Sequence, residues 1–352
     1  MKPAQRLLLV DCARALAAFG VLLWHYHVFF WHPGVFGDPP TVALPLHRPL
    51  ALFYDYGLWA VPIFWVISGF VFSRVYIGQA VSTGDFIANR FARLYPLHLL
   101  TLLIAAALQG GIYARFGTWF AYDHNDASHF ALQLTFASNW LTRDLSFNGP
   151  IWSVSVEVLI YAVFWAIHSR LARSAPLLPL LATLAFCELA LISGGNWLAQ
   201  CGFCFFLGVT LEVASPKVAR LFAIVLLAMG AALLWCARLH FGVPALFGAI
   251  LVGLIELERF VPDRWAKTLT AIGDNTYGMY LWHMPLVILL FLIFGTTLAG
   301  AASSPWFLLA FLTTVIVIAR VSFLWFEKPM RNRIRRLWAQ RDQIGLKARP
   351  IA

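Results

Sequence analysis

The chain has 352 residues, of which 61% are apolar or aromatic and only 12% charged, with a formal net charge of +10. Soluble domains carry about 25% charged residues, so a surface this poor in charge cannot face water, and a soluble enzyme or soluble binding module is excluded. Nor does the positive balance point to nucleic acid, because the basic residues sit in short clusters between apolar runs, where membrane topology places them.

Crossing about 30 Å of hydrocarbon takes about 20 helical residues, and in lipid each span must satisfy its own backbone. Ten apolar runs meet that need, near residues 7–30, 52–75, 94–113, 151–168, 175–193, 197–214, 219–237, 243–257, 271–294 and 305–326. The first is too long for a signal-peptide core and is interrupted by Asp11 and Arg14, so no cleavable signal is expected. With the N-terminus inside, twenty Lys and Arg residues fall on the cytoplasmic side, from Lys2 and Arg6 to Lys347 and Arg349. Only Arg48, Arg115, Arg143 and Arg238 fall outside, a bias that favours an even number of spans. The predicted fold is an all-α polytopic membrane protein of about ten transmembrane helices with both termini cytoplasmic. Residues 1–330 form one membrane domain, and 331–352 a basic cytoplasmic tail that touches anionic lipid. Two outer loops are long, Trp31 to Pro49 and Ala114 to Pro150, and in the second Phe130 to Leu141 is expected to lie at the membrane interface. The five cysteines lie in or beside apolar runs and read as small buried thiols.

Ionisable residues at membrane depth face the bundle interior and mark function. Arg14 lies in the first helix with His25 eleven residues on, about three turns plus 20°, so both project from one face roughly 16 Å apart. Asp11 shares that stripe and can pair with Arg14. His27 points away from His25, no carboxylate cluster completes a metal set there, and no metal is expected. Ser153 and Glu157 share a face of the fourth helix, opening at Trp152 near the outer side. The ninth helix carries Asp274, Tyr280 and His283, and Pro285 in it removes a backbone donor and should kink it. In the tenth, Arg320 and Glu327 are seven apart on one face and can form a structural ion pair.

Six segments in order carry a resemblance: Arg14 to His25 within Asp11-Cys12-Ala13-Arg14; Phe64-Trp65-Val66-Ile67-Ser68-Gly69-Phe70; Arg90-Phe91-Ala92-Arg93-Leu94-Tyr95-Pro96; Trp152-Ser153 through Glu157; Tyr280-Leu281-Trp282-His283; and Phe326-Glu327-Lys328-Pro329. Together they resemble the acyltransferase-3 family, membrane enzymes that O-acylate bacterial surface glycans and some small molecules. Cys12 and Trp65 stand where that family often has glycine and phenylalanine. The resemblance implies a transfer from acyl-CoA, most simply acetyl-CoA, to a hydroxyl, with His25 as catalytic base and Arg14 and Glu157 as further catalytic residues. It implies Arg90, Arg93, Ser68, Trp152, Ser153, Tyr280, His283 and Glu327 as substrate-binding residues. Acyl-CoA is a co-substrate and no permanently bound cofactor is expected.

Acyl-CoA is made in the cytoplasm, so the phosphates should meet Arg74, Arg90 and Arg93 there, arginine being suited to phosphate through its planar fork. A carbohydrate or small-molecule hydroxyl acceptor would enter from outside, and the enzyme would reside in a bacterial inner membrane, with its oligomeric state open. The competing reading is a transporter of a small anionic metabolite or lipid-linked sugar, but transporters commonly show internal repeats and none is visible.

Overall fold

The structure is a computed structural model that describes residues 6–31, 44–140, 142–174 and 176–347, with the backbone alone for 172 and 341–347. Lys2, most of the first long loop, Leu141 and Arg349 lie outside the described residues. Fourteen α-helices and no strand occur among the described residues: α1 (Leu8–His25), α2 (His47–Tyr56), α3 (Ala60–Tyr76), α4 (Thr83–Phe116), α5 (Ala127–Leu134), α6 (Trp152–Arg173), α7 (Leu177–Ile192), α8 (Trp197–Val213), α9 (Pro216–Trp235), α10 (Leu239–Leu257), α11 (Asp263–Phe294), α12 (Leu298–Ala302), α13 (Pro305–Ser322) and α14 (Lys328–Lys347). Eight helical segments are long and apolar enough to cross a membrane, and α7 and α8 are shorter apolar helices at the fifth and sixth expected positions. The chain is an all-α, multi-pass integral membrane protein.

Several helix ends differ from expectation. Helix α4 begins at Thr83, well before the apolar run at 94, because the Ser82 side chain accepts from the Asp85 amide at 3.0 Å and so caps a polar first turn. Of the segment 130–141 only residues up to Leu134 are helical. The described part of the basic C-terminal segment lies in helix α14, docked against α4 where Trp338 Nε1 donates to Asp85 Oδ1 at 3.0 Å.

Helix α8 is buried without a break from Ala199 to Leu211, as expected of a helix apolar all round, and it forms the centre of the bundle with α3 against it. The approach is closer than any side chain allows. A Cβ on Gly69 would lie 1.7 Å from the Phe205 carbonyl oxygen, and one on Gly208 2.0 Å from that of Val66. Small residues that let backbones meet are the usual device for joining helices in lipid, where dispersion replaces the hydrophobic effect. Helices α1 and α11 run parallel, crossing at Asp11 against Gly273 and touching again at His25 and His283. At one end of the bundle the α1 amides of Leu8 and Leu9 donate to the Glu258 carboxylate, and Arg6 bonds Asp274 Oδ1 at 3.0 Å. At the other end Tyr26 donates to the Ala302 carbonyl at 2.8 Å.

Pro96, Pro244 and Pro285 lie inside helices, and each leaves a carbonyl four residues back without its N–H partner. For Pro244 and Pro285 a buried amide side chain takes it. Pro285 frees the Leu281 carbonyl, to which Asn148 Nδ2 donates at 3.1 Å, and Pro244 frees that of His240, to which Gln200 Nε2 donates. Asn148→Leu should therefore destabilise the protein by about 1–3 kcal/mol, the cost of an unpaired buried polar group. In Pro285→Ala, which restores the backbone donor, the same substitution should cost less. Thermal unfolding of the four proteins in detergent measures the coupling, and equal costs in both backgrounds would refute this pairing.

Candidate active site

A cavity of ≈ 320 Å³ opens between α1, α3, α4, α6, α11 and α14. Its charged lining is five arginines, Arg14, Arg90, Arg93, Arg331 and Arg335, and a single carboxylate, Glu157. Ser68, Ser153, Tyr161, Tyr277 and Tyr280 supply hydroxyls. The cavity thus brings together Arg14, Ser68, Arg90, Arg93, Ser153, Glu157 and Tyr280 from five separate helices.

Each side chain has an identifiable hold. Arg14 lies one turn from Asp11, Nη1 to Oδ1 3.6 Å, and Arg6 also bonds Asp11, so that carboxylate is shared. The Arg90 guanidinium stacks 4.6 Å above the Phe72 ring, and its buried Nε has no hydrogen-bond partner. Arg93 lies 5.7 Å above Tyr277, whose hydroxyl donates to the Leu94 carbonyl at 2.8 Å. Cation–π contacts of this kind contribute roughly 0.5–2 kcal/mol but leave the N–H fork free. Glu157 is buried beside Ser68 and Tyr161, with Arg14 and Arg90 within charge range, and its Oε1 accepts no hydrogen bond. The Tyr280 hydroxyl donates to the Pro150 carbonyl at 2.8 Å and lies 2.6 Å from Ser153 Oγ, joining α11 to the start of α6.

His25 does not line this cavity. It packs against His283, ring centroids 4.8 Å apart, and Tyr280 stands between that pair and the cavity, 6.1 Å from His283. Each ring has Nδ1 within reach of a carbonyl one turn back, Val21 at 2.9 Å for His25 and Met279 at 3.3 Å for His283. A carbonyl can only accept, so the proton is assigned to Nδ1 in both rings and the Nε2 lone pairs are left available.

Other expected residues lie elsewhere. Trp152 packs with Trp65 (5.9 Å) and Trp197 (4.9 Å) and braces the cavity wall without lining it. Glu327 borders a separate crevice with Arg93 and Arg331, both its oxygens buried and unpartnered. It makes no ion pair with Arg320 among the described residues, and a π-turn over Phe323–Glu327 interrupts the 3.6-residue period between the two. Arg74 lies within charge range of Glu212 and does not line the cavity. Arg331 and Arg335 take its place. They are four apart on α14, and a like-charge pair at that spacing is the sequence signal that the general basicity of the segment hides.

The acyltransferase-3 family model, described as "Acyltransferase domain", matches residues 8–322. The exopolysaccharide production protein ExoZ of Rhizobium meliloti is 25% identical over 84% of this chain and 95% of its own length. The acyltransferase MdmB of Streptomyces mycarofaciens is 33% identical over 34% of this chain and 30% of its own. The peptidoglycan O-acetyltransferase OatA of Listeria monocytogenes is 30% identical over 25% of this chain and 14% of its own. No solved structure matches the chain.

The docking of α14 places two of the five arginines, and Trp338 anchors it against Gly84 and Asp85. Trp338→Ala should speed amide hydrogen exchange in residues 328–340 about tenfold or more, leaving α3 and α8 protected, since local opening follows the loss of local contacts. Unchanged exchange would show that α14 is held by other means.

Proposed function

This chain belongs to the acyltransferase-3 family, and on that premise we propose that it moves an acyl group, most simply acetyl, from acyl-CoA to a carbohydrate hydroxyl. The observation that carries the reading is the cavity with five arginines and one carboxylate. Like charges gathered in a low-dielectric site repel strongly unless an anion binds among them. Guanidinium forks left free by stacking on aromatic faces suit phosphate. The CoA phosphates occupy Arg90, Arg93, Arg331 and Arg335 at the end that carries α14 and the start of α1, and the pantetheine arm runs inward past Arg14 toward Tyr280. The acceptor enters from the opposite end. That ExoZ and OatA are named for exopolysaccharide production and peptidoglycan O-acetylation supports a carbohydrate acceptor.

In the proposed reaction His25 Nε2 takes the acceptor's hydroxyl proton as its oxygen attacks the thioester carbonyl. The tetrahedral intermediate carries one negative charge, which Arg14 and the Ser153 hydroxyl can stabilise. Its collapse breaks the C–S bond, and the CoA thiolate takes the proton back from His25, so the enzyme ends as it began. Nδ1 held on the Val21 carbonyl fixes the tautomer that leaves Nε2 as the base. His283, its Nε2 buried and without a partner, lies against His25 and positions it. Glu157, whose buried Oε1 lacks a donor, accepts from the acceptor or from the pantetheine amides, and Glu327 in the neighbouring crevice helps hold Arg93 and Arg331. The protein would act in a bacterial inner membrane, with donor and acceptor supplied on opposite sides.

Purified protein given labelled acetyl-CoA and a glycan acceptor tests the reading. His25→Ala should lower kcat about 10²–10⁴-fold, the range for loss of a general base, with insertion and yield unchanged. Near-normal turnover would remove His25 from the mechanism. Arg331→Ala with Arg335→Ala should raise the KM for acetyl-CoA about tenfold or more and flatten its salt dependence, with kcat little changed. An unchanged KM would free these residues from donor binding. Glu157→Gln should lower kcat more than it raises donor KM.

A further inference from the structure

The loop between α4 and α6 carries a cluster that the acyl-transfer reading does not use. His124, His129 and Asp144 offer ligand atoms that all lie within 4.8 Å of one another. His129 Nε2 stands 3.7 Å from Asp144 Oδ2, and His124 Nε2 3.8 Å from Asp144 Oδ1. Tetrahedral ligands bound at about 2.0–2.2 Å lie roughly 3.4 Å apart, so small side-chain rotations close the set. Asp123 Oδ1 is 3.4 Å from the same His124 nitrogen and provides a second carboxylate at the site.

A second observation sets this apart from a chance meeting of polar loop residues. His129 is oriented from behind, its Nδ1 2.8 Å from Asp126 Oδ2, and the side chain is only 13% exposed. A carboxylate accepts, so Nδ1 carries the proton and Nε2 presents a lone pair toward Asp144. That Nε2 is sealed from solvent and has no hydrogen-bond partner. A carboxylate behind a histidine whose other nitrogen faces the ligand position is the usual outer shell of a metal-binding imidazole.

We propose that His124, His129 and Asp144 bind a Zn²⁺ ion that clasps the two arms of this loop. Two imidazoles and a carboxylate suit zinc, a borderline metal that takes nitrogen and oxygen together in tetrahedral sites with room for a further ligand. The clasp bears on the active site through the chain that follows Asp144. There Gln133 donates to the Ser146 carbonyl and Phe147 N–H to Asn125 Oδ1, and the strand of loop ends at Pro150, whose carbonyl holds the Tyr280 hydroxyl. Zinc would fix the lip from which α6, with Ser153 and Glu157, enters the bundle. Nothing in sequence spacing announces the site, because His124 and Asp144 lie in irregular segments on either side of helix α5, which carries His129.

The test uses the full-length protein in detergent, stripped with a chelator, dialysed against Zn²⁺ and assayed by elemental analysis and by competition with a zinc indicator. About one tightly held Zn²⁺ per chain is expected. Asp144→Asn and His129→Ala should weaken binding at least about tenfold, and Asp126→Asn, which touches only the orienting carboxylate, roughly 10–100-fold. His168→Ala, on the far end of α6, should leave binding unchanged. Gel filtration checks folding, and if His129→Ala elutes as aggregate the two near-isosteric Asp→Asn variants decide. No retained zinc in the unmutated protein, or affinity unchanged in Asp144→Asn and Asp126→Asn, or equal loss in His168→Ala, would overturn the assignment.

Discussion

A guanidinium cannot be left alone at membrane depth, where even the milder scales put its cost at about 2.5–3.5 kcal/mol. This fold gathers five around one cavity, with Glu157 the single carboxylate in the lining. Asp11 helps hold Arg14 but is shared with Arg6, and Arg90 and Arg93 rest on aromatic faces that leave their N–H groups open. Such an arrangement is stable only if the surrounding helices force it, and it is useful only to an anion. The rest of the architecture follows from providing that force.

The forcing elements are rigid contacts. Backbone-to-backbone approach at Gly69 and Gly208 fixes α3 on the central α8 and sets Ser68 beside Glu157. Asn148 mends the gap that Pro285 leaves in α11, while Tyr280, one residue before that gap, reaches back to Pro150. The same short stretch, Asn148 to Ser153, therefore serves the backbone of α11 and the wall of the cavity at once. At the other end α14 closes the site with Arg331 and Arg335, held by Trp338 on Asp85.

Much of this was legible in the residues, for physical reasons that also explain the failures. Apolar runs must be helical in lipid, so their order was readable, and Arg14 and Glu157 within spans have only the interior to face; Ser68, Arg90, Arg93, Ser153 and Tyr280 were joined to them by the family resemblance alone. Helix ends outside the hydrocarbon obey capping instead of hydropathy, which is why the Ser82 cap moved the start of α4 by a full eleven residues. The Arg320–Glu327 pairing assumed an uninterrupted 3.6-residue period that the π-turn breaks. Basic residues near a membrane surface are expected whatever they do, so Arg331 and Arg335 were hidden by the rule that explains their neighbours. The pairing of His25 with His283 joins α1 and α11, far apart in the chain, and no local pattern carries it.

The central claim is that donor and acceptor reach one site from opposite sides, the donor through the arginine-lined cavity. Membrane-impermeant acetyl-CoA offered to sealed vesicles of known orientation measures this directly. The account predicts acyl transfer only when the donor is on the face that carries α14 and the start of α1. Transfer supported only by donor on the opposite face would contradict it.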